Sequence, residues 1–128
     1  MKLTEEVEAL LAKARHALEV SEKLLGSEDF PDSASKAYYA IFYAAQALLK
    51  AHGFKAVKHS SVASMLGHEF SKTGRINPEL HRIILKTRKV REIADYDTFG
   101  FVSESTARST VTDARSFILE IERLLNEG

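Results

Sequence analysis

The sequence predicts an all-α fold, an antiparallel four-helix bundle with one additional short helix. Apolar residues recur at three- and four-residue spacing through four long stretches, and the links between them are short and carry Gly, Pro, Asn or Asp. No period-two alternation, hairpin dipeptide or internal repeat competes with that reading. At 128 residues with 45% apolar content, the chain suits a single domain spanning residues 1–128 around one core.

The first helix covers about residues 3–25. Leu3, Val7, Leu10, Leu11, Ala14, Leu18 and Leu25 form one stripe, Glu5, Glu8, Lys13, Glu19 and Glu22 fill the rest, and Gly26 ends the helix. Phe30-Pro31-Asp32-Ser33 reads as a turn, with Asp32 or Ser33 as N-cap of a second helix over about 33–52. From Ala34 to Leu49 that helix has almost no polar face, so it belongs inside the bundle. Its alanines allow close approach, and each of Tyr38, Tyr39 and Tyr43 brings a hydroxyl that needs a partner. Gly53 closes it. A shorter third helix starts near His59-Ser60 and runs through Val62, Met65, Leu66 and Phe70 to a loop at Lys72-Thr73-Gly74. Asn77-Pro78 starts a fourth helix, with Leu80, Ile83, Ile84, Thr87, Val90 and Ala94 inward. Ser103 caps a last helix that turns Ala107, Val111, Ala114, Ile118, Ile121 and Leu125 to the core.

Composition excludes several function classes. Net charge is zero, so no global field draws the chain to nucleic acid or membrane. Without cysteine there is no disulfide, thiolate metal site or cysteine nucleophile. No apolar run is long enough to span a bilayer and none has signal-peptide character, so a soluble cytoplasmic protein is expected. His16, His52, His59, His68 and His81 form no paired helical ligand motif, so neither a metal site nor a cofactor is expected. Arg75 and His81 straddle the Asn77-Pro78 junction, and their spacing is read as chance.

The end of the fourth helix concentrates the chemistry. Arg82, Lys86, Arg88, Lys89 and Arg91 make it basic, which is either a solvated face or a dock for phosphate. Arg91 flanks the inward stripe, with Asp95 four residues on and Tyr96 just before the break at Asp97-Thr98-Phe99-Gly100. The Arg91–Asp95 pair has the weaker orientation for helix support. It either belongs to a site or satisfies a buried tyrosine hydroxyl of the second helix. His59, at the entrance to the third helix, is either a helix-start residue or a ligand for phosphate or base.

Three blocks carry a resemblance: Ser35-Lys36-Ala37-Tyr38-Tyr39-Ala40-Ile41-Phe42-Tyr43-Ala44-Ala45-Gln46-Ala47-Leu48-Leu49, then Lys58-His59-Ser60-Ser61-Val62, then Arg91-Glu92-Ile93-Ala94-Asp95-Tyr96. In this order the chain resembles the HEPN superfamily (higher eukaryotes and prokaryotes nucleotide-binding), in its small stand-alone prokaryotic branch. The resemblance implies a helical bundle, a homodimer and a small nucleotidyltransferase partner, in toxin–antitoxin fashion. Many members are metal-independent ribonucleases whose arginine is followed after four to six residues by histidine. Here those slots hold Tyr96, Asp97 and Thr98. Tyrosine, with a pKa near 10, is a poor proton acceptor at neutral pH.

The expected function is therefore nucleotide, RNA or partner binding in a nucleotidyltransferase-linked system, at Arg91, Asp95, Tyr96, His59, Tyr39 and Tyr43. Arg91, Asp95 and Tyr96 are the candidates for any catalysis, and Tyr96 is also a candidate acceptor of a nucleotidyl group. The alternatives are a ribonuclease with an atypical site and a purely structural dimerisation module.

Overall fold

A computed structural model describes residues 2–126. Its helices are α1 (Glu5–Gly26), α2 (Phe30–Ala51), α3 (His59–Met65), α4 (Pro78–Tyr96) and α5 (Glu104–Asn126), and a π-helical turn (Leu66–Ser71) continues α3. All the described regular structure is helical, in a packed bundle as expected.

The centre of the bundle is α2, packed against α1, α5 and α4 together. Burial follows the sequence pattern. Ala34, Ala37, Ala40, Ala44, Ala45 and Ala47 are fully enclosed, and Tyr38, Ile41, Leu48 and Leu49 fill the space between them. On α1 the inward face is Val7, Leu11, Ala14, Ala17 and Ser21. Leu3, Leu10, Leu18 and Leu25 are half-buried at its margins. All six inward positions expected on α5 are buried, and Phe117 joins them. The backbones of α1 and α2 come close enough for Ser33 Oγ to donate to the Ser21 carbonyl at 2.8 Å.

The caps largely match the sequence signals. Thr4 Oγ1 accepts from Val7 N, Asn77 Oδ1 from Glu79 N at 2.9 Å and Ser103 Oγ from Thr106 N at 3.1 Å. The start of α2 differs. The expected turn Phe30–Ser33 is its first helical turn, with Asp29 in the cap position and Pro31 just inside. Proline is tolerated there because the first N–H groups have no helical acceptor to lose. Burial also favours the earlier start, since Phe30 packs with Ala34, Val102 and Ala107 in a small second cluster.

The third helical segment is also more elaborate than expected. The Lys72 N–H reaches back five residues to the Gly67 carbonyl. A side chain at Gly67 would meet the His81 ring, whose Nε2 lies 2.5 Å from a Cβ built there, so glycine allows this crossing. Arg75 turns away to Phe70 and His52, and His81 packs on Gly67, so their sequence spacing creates no shared site. None of the described helices is long and apolar enough to cross a membrane.

If α5 is held by its buried stripe, Ile121→Ala should cost about 2–5 kcal/mol in urea unfolding. Leu119→Ala, on the exposed face two residues away, should change stability by no more than about 0.5 kcal/mol.

Candidate functional site

Three elements meet at the C-terminal end of α4. The inward pattern Leu80, Ile83, Ile84, Thr87 carries on to Arg91, which is only 5% exposed despite its charge. Thr87 satisfies its own hydroxyl by donating to the Ile83 carbonyl at 2.7 Å, so it makes no demand on the site. From α2 come Ser35, Tyr38, Tyr39 and Tyr43, and α3 contributes His59, its first residue.

Arg91 is held in an aromatic cage. Its Cζ lies 5.4 Å from the ring centroid of Tyr38, 5.7 Å from that of Tyr39 and 5.3 Å from that of Tyr96. Such contacts stabilise a desolvated guanidinium by roughly 2 kcal/mol or more. Nη1 donates to the Tyr96 hydroxyl at 3.0 Å. Nε is buried and has no acceptor among the protein atoms. The neighbouring Arg88 Nε is also buried. It lies 3.4 Å from Glu92 Oε1, within ion-pair range but without hydrogen-bond alignment.

The expected Arg91–Asp95 pair does not form. Among the described residues no carboxylate lies within 4.0 Å of Arg91. Asp95 instead accepts from Ser35 Oγ at 3.1 Å, towards the start of α2, where the helix dipole favours a negative charge. Asp32 sits nearby. Its carboxyl is pushed above the ordinary range, first by burial and then by Asp29 and Asp95. The acidic groups thus gather on one edge and the guanidinium lies apart from them among aromatic faces.

The buried Tyr38 of α2 has the Arg91 guanidinium beside its ring and a hydroxyl partner on α3. The Tyr38 hydroxyl pairs with His59 Nδ1 at 2.8 Å, and the His59 ring stacks on Phe42 at 4.2 Å between centroids. Burial pushes the Tyr38 phenol up to about 12, with Arg91 and Arg88 pulling against that shift. Tyr38 therefore stays neutral, and the direction of its bond to His59 is set by which imidazole nitrogen carries the proton. The imidazole is held below its ordinary 6.5, mainly by burial, with repulsion from Arg91 and Arg88 adding to it.

Of the residues expected at the site, Arg91, Tyr39 and His59 surround Tyr38, Tyr96 packs on Arg91, Asp95 lies to one side, and Tyr43 continues the aromatic row at 6.2 Å from Tyr39. Tyr96 is 73% exposed and forms the outer wall. After it, Asp97 Oδ1 accepts from Phe99 N and Gly100 N. Gly100 takes a φ of +57°, a conformation suited to glycine, and the turn leaves Phe99 and Phe101 exposed. Sequence reasoning had not singled out Tyr38 as the hub of the site, nor Arg88 or Ser35. Its only signal for Tyr38 was a buried tyrosine in need of a partner.

Residues 7–124 match the family model described as the HEPN domain. The chain belongs to the HEPN family. A Methanocaldococcus jannaschii protein bearing the name "Putative toxin MJ0605" is 34% identical over 125 residues, 98% of this chain and 92% of that protein. A second from the same organism, "Putative toxin MJ0142", is 32% identical over 98% of this chain and 85% of its own length. A "UPF0332 protein" of Thermotoga maritima is 32% identical over 90% of this chain and 87% of its own. HEPN membership accounts for the three sequence blocks, and in this HEPN chain all three converge on Tyr38.

Because the folded-state pKa of His59 lies below its unfolded value, the folded protein resists protonation there. This destabilisation is absent well above pH 6.5 and grows as pH falls through 6.5 towards the folded value. Urea unfolding should therefore show lower stability near pH 5.5 than near pH 7.5. His59→Gln, which keeps an acceptor for Tyr38, should remove part of that slope and leave the share due to His52, whose pKa is also lowered.

Proposed function

We propose that this HEPN chain binds the phosphate of a nucleotide or RNA end at Arg91, as the binding component of a nucleotidyltransferase-linked system of toxin–antitoxin type. The observation that carries this reading is the buried Arg91 guanidinium, which has no carboxylate partner and has an Nε–H without an acceptor. Buried donors are rarely left unpaired, and a buried charge without a counter-ion costs on the order of several kcal/mol. A phosphate oxygen is a suitable acceptor, in a charge-assisted bond. The cage supports the same ligand: Tyr39 and Tyr96 offer faces or hydroxyls to a base or ribose, and His59 adds a polar edge beside them. The names of the two M. jannaschii relatives favour the toxin role. The exposed Phe99 and Phe101 favour a dimer or partner contact beside the site.

Titration with mononucleotides and dinucleotides tests this. Arg91→Ala should weaken binding roughly tenfold or more. Arg91→Met should do the same while leaving thermal stability unchanged or higher, because it removes an uncompensated buried charge. A scaffold role for Arg91 requires the reverse, lost stability with unchanged binding. Tyr96, exposed beside the guanidinium, would serve as nucleotidyl acceptor if incubation with a small nucleotidyltransferase and a nucleoside triphosphate adds nucleotide mass that Tyr96→Phe abolishes.

A second reading, ribonuclease activity, is favoured by the position of His59 across Tyr38 from Arg91. In the tautomer that donates Nδ1–H to the Tyr38 oxygen, Nε2 of a neutral imidazole could take the proton of a 2′-hydroxyl as its oxygen attacks phosphorus and the 5′-oxygen departs with a proton from solvent. RNA cleavage in chelator, lost in both Arg91→Ala and His59→Gln, is the required result. No cleavage by a verified dimer removes this reading.

A further inference from the structure

The cations that make α4 basic are largely committed. Arg82 binds Glu79, Lys86 reaches Asp113 on α5 at 2.7 Å, and Arg88 lies beside Glu92. Several cations elsewhere are paired too, with Arg15 on Glu122, Lys50 on Glu6 and Arg115 on Glu22. Among the described residues Lys13 and His16 form no ion pair. Both are exposed on α1, one turn apart, along an open groove of about 420 Å³ between α1 and α2. Lys36 of α2 also lines this groove, with Asp32 as a neighbouring charge. The remaining lining is Ala12, Ala17, Val20, Tyr39 and Tyr43, with no carboxylate. The Lys13 ammonium stands 4.7 Å from the centroid of the Tyr43 ring.

Tyr39 belongs to both places, as it lines this groove and lies under the Arg91 guanidinium. Arg91, Tyr39, Tyr43 and Lys13 therefore form a continuous sequence of contacts from the end of α4 to α1. Two neighbouring aromatic rings flanked by cations suit a chain of phosphates with exposed bases. A duplex hides its base faces, so the tyrosines have no use for one. An acidic peptide would satisfy the cations but give the paired rings nothing to stack on.

We propose that the α1/α2 groove binds a single-stranded polynucleotide that continues from the phosphate held by Arg91. Tyr39 and Tyr43 stack on bases, and Lys13, His16 and Lys36 contact the phosphates. The proposal takes its starting point from the Arg91 reading above and extends it from a mononucleotide to a strand.

Fluorescence anisotropy of the full chain tests it with a labelled dinucleotide and a labelled oligouridine of about ten nucleotides, a length suited to such a groove. The longer strand should bind more tightly than the dinucleotide. Lys13→Glu with Lys36→Glu should weaken the longer strand at least about tenfold. The same double change should lower its log–log salt slope by about 1.4, for two lost phosphate contacts, and leave the dinucleotide unaffected. Both substituted residues are exposed, so folding is not at issue. Tyr43→Leu should weaken the strand, whereas Tyr43→Phe should retain it. Parallel oligodeoxythymidine titrations distinguish RNA from DNA as the source of the strand.

Three results overturn the proposal: longer-strand affinity unchanged within about twofold in the double variant, an abasic oligomer of equal charge bound as tightly as oligouridine, or a glutamate polymer bound equally well. The Arg91 reading fails separately, if Arg91→Ala leaves dinucleotide binding intact.

Discussion

Burying one positive charge among tyrosine rings, without a carboxylate, is the constraint on which the site depends. Arg91 continues the inward stripe of α4, so helical periodicity places a cation in the core of the bundle, where an aliphatic residue would be expected. The fold accommodates it with aromatic faces from α2 and one hydroxyl from the end of α4. Tyr38 can line the cage because its own hydroxyl is engaged by His59, which fixes the start of α3 against α2. The surrounding polar groups thus take positions set by a guanidinium that still has donor capacity to spare.

Electrostatics at this end are separated by geometry. Asp29, Asp32 and Asp95 gather near the start of α2, where the helix dipole and Ser35 stabilise negative charge. His59 lies on the other side, where burial holds its imidazole below the ordinary value and Arg91 and Arg88 add to that shift. Cross-pairing of Arg91 with Asp95 would have cancelled the local positive field. Without that pairing the buried Arg91 Nε–H keeps no acceptor, and the burial of His59, with repulsion from the two arginines adding to it, makes low pH unfavourable to the folded state.

Much of the fold was legible in the sequence. Three- and four-residue periodicity located the helices, Asn77 and Ser103 marked the starts of two of them, and the nearly uniform apolar character of α2 identified the central helix. What the sequence obscured were balances decided by tertiary packing. Pro31 looked like a turn signal, but Phe30 has a small core cluster to join, and that extends the helix to include it. The site was legible in its membership and less so in its pairing. Spacing alone made Arg91–Asp95 look like an i,i+4 pair, whereas burial directs the arginine inward and the aspartate across to α2. The histidine absent after Arg91 in the sequence has a spatial counterpart in His59, contributed by another helix through Tyr38, and linear spacing could not reveal it. HEPN membership, read from three blocks and shown by the match over residues 7–124, supplied the landmarks, and the packing gives them their chemistry.

The central claim is that the buried Arg91 Nε–H waits for a phosphate oxygen. The most direct measurement is the arginine Nε–Hε region of a nitrogen–proton NMR spectrum, with Arg91 assigned by Arg91→Lys, during titration with a uridine dinucleotide. The account predicts that the Arg91 resonance moves downfield and becomes protected from solvent exchange, with Arg88 following and the outward-facing Arg108 and Arg115 unchanged. Saturable binding of the dinucleotide with an Arg91 resonance that stays in place would contradict it.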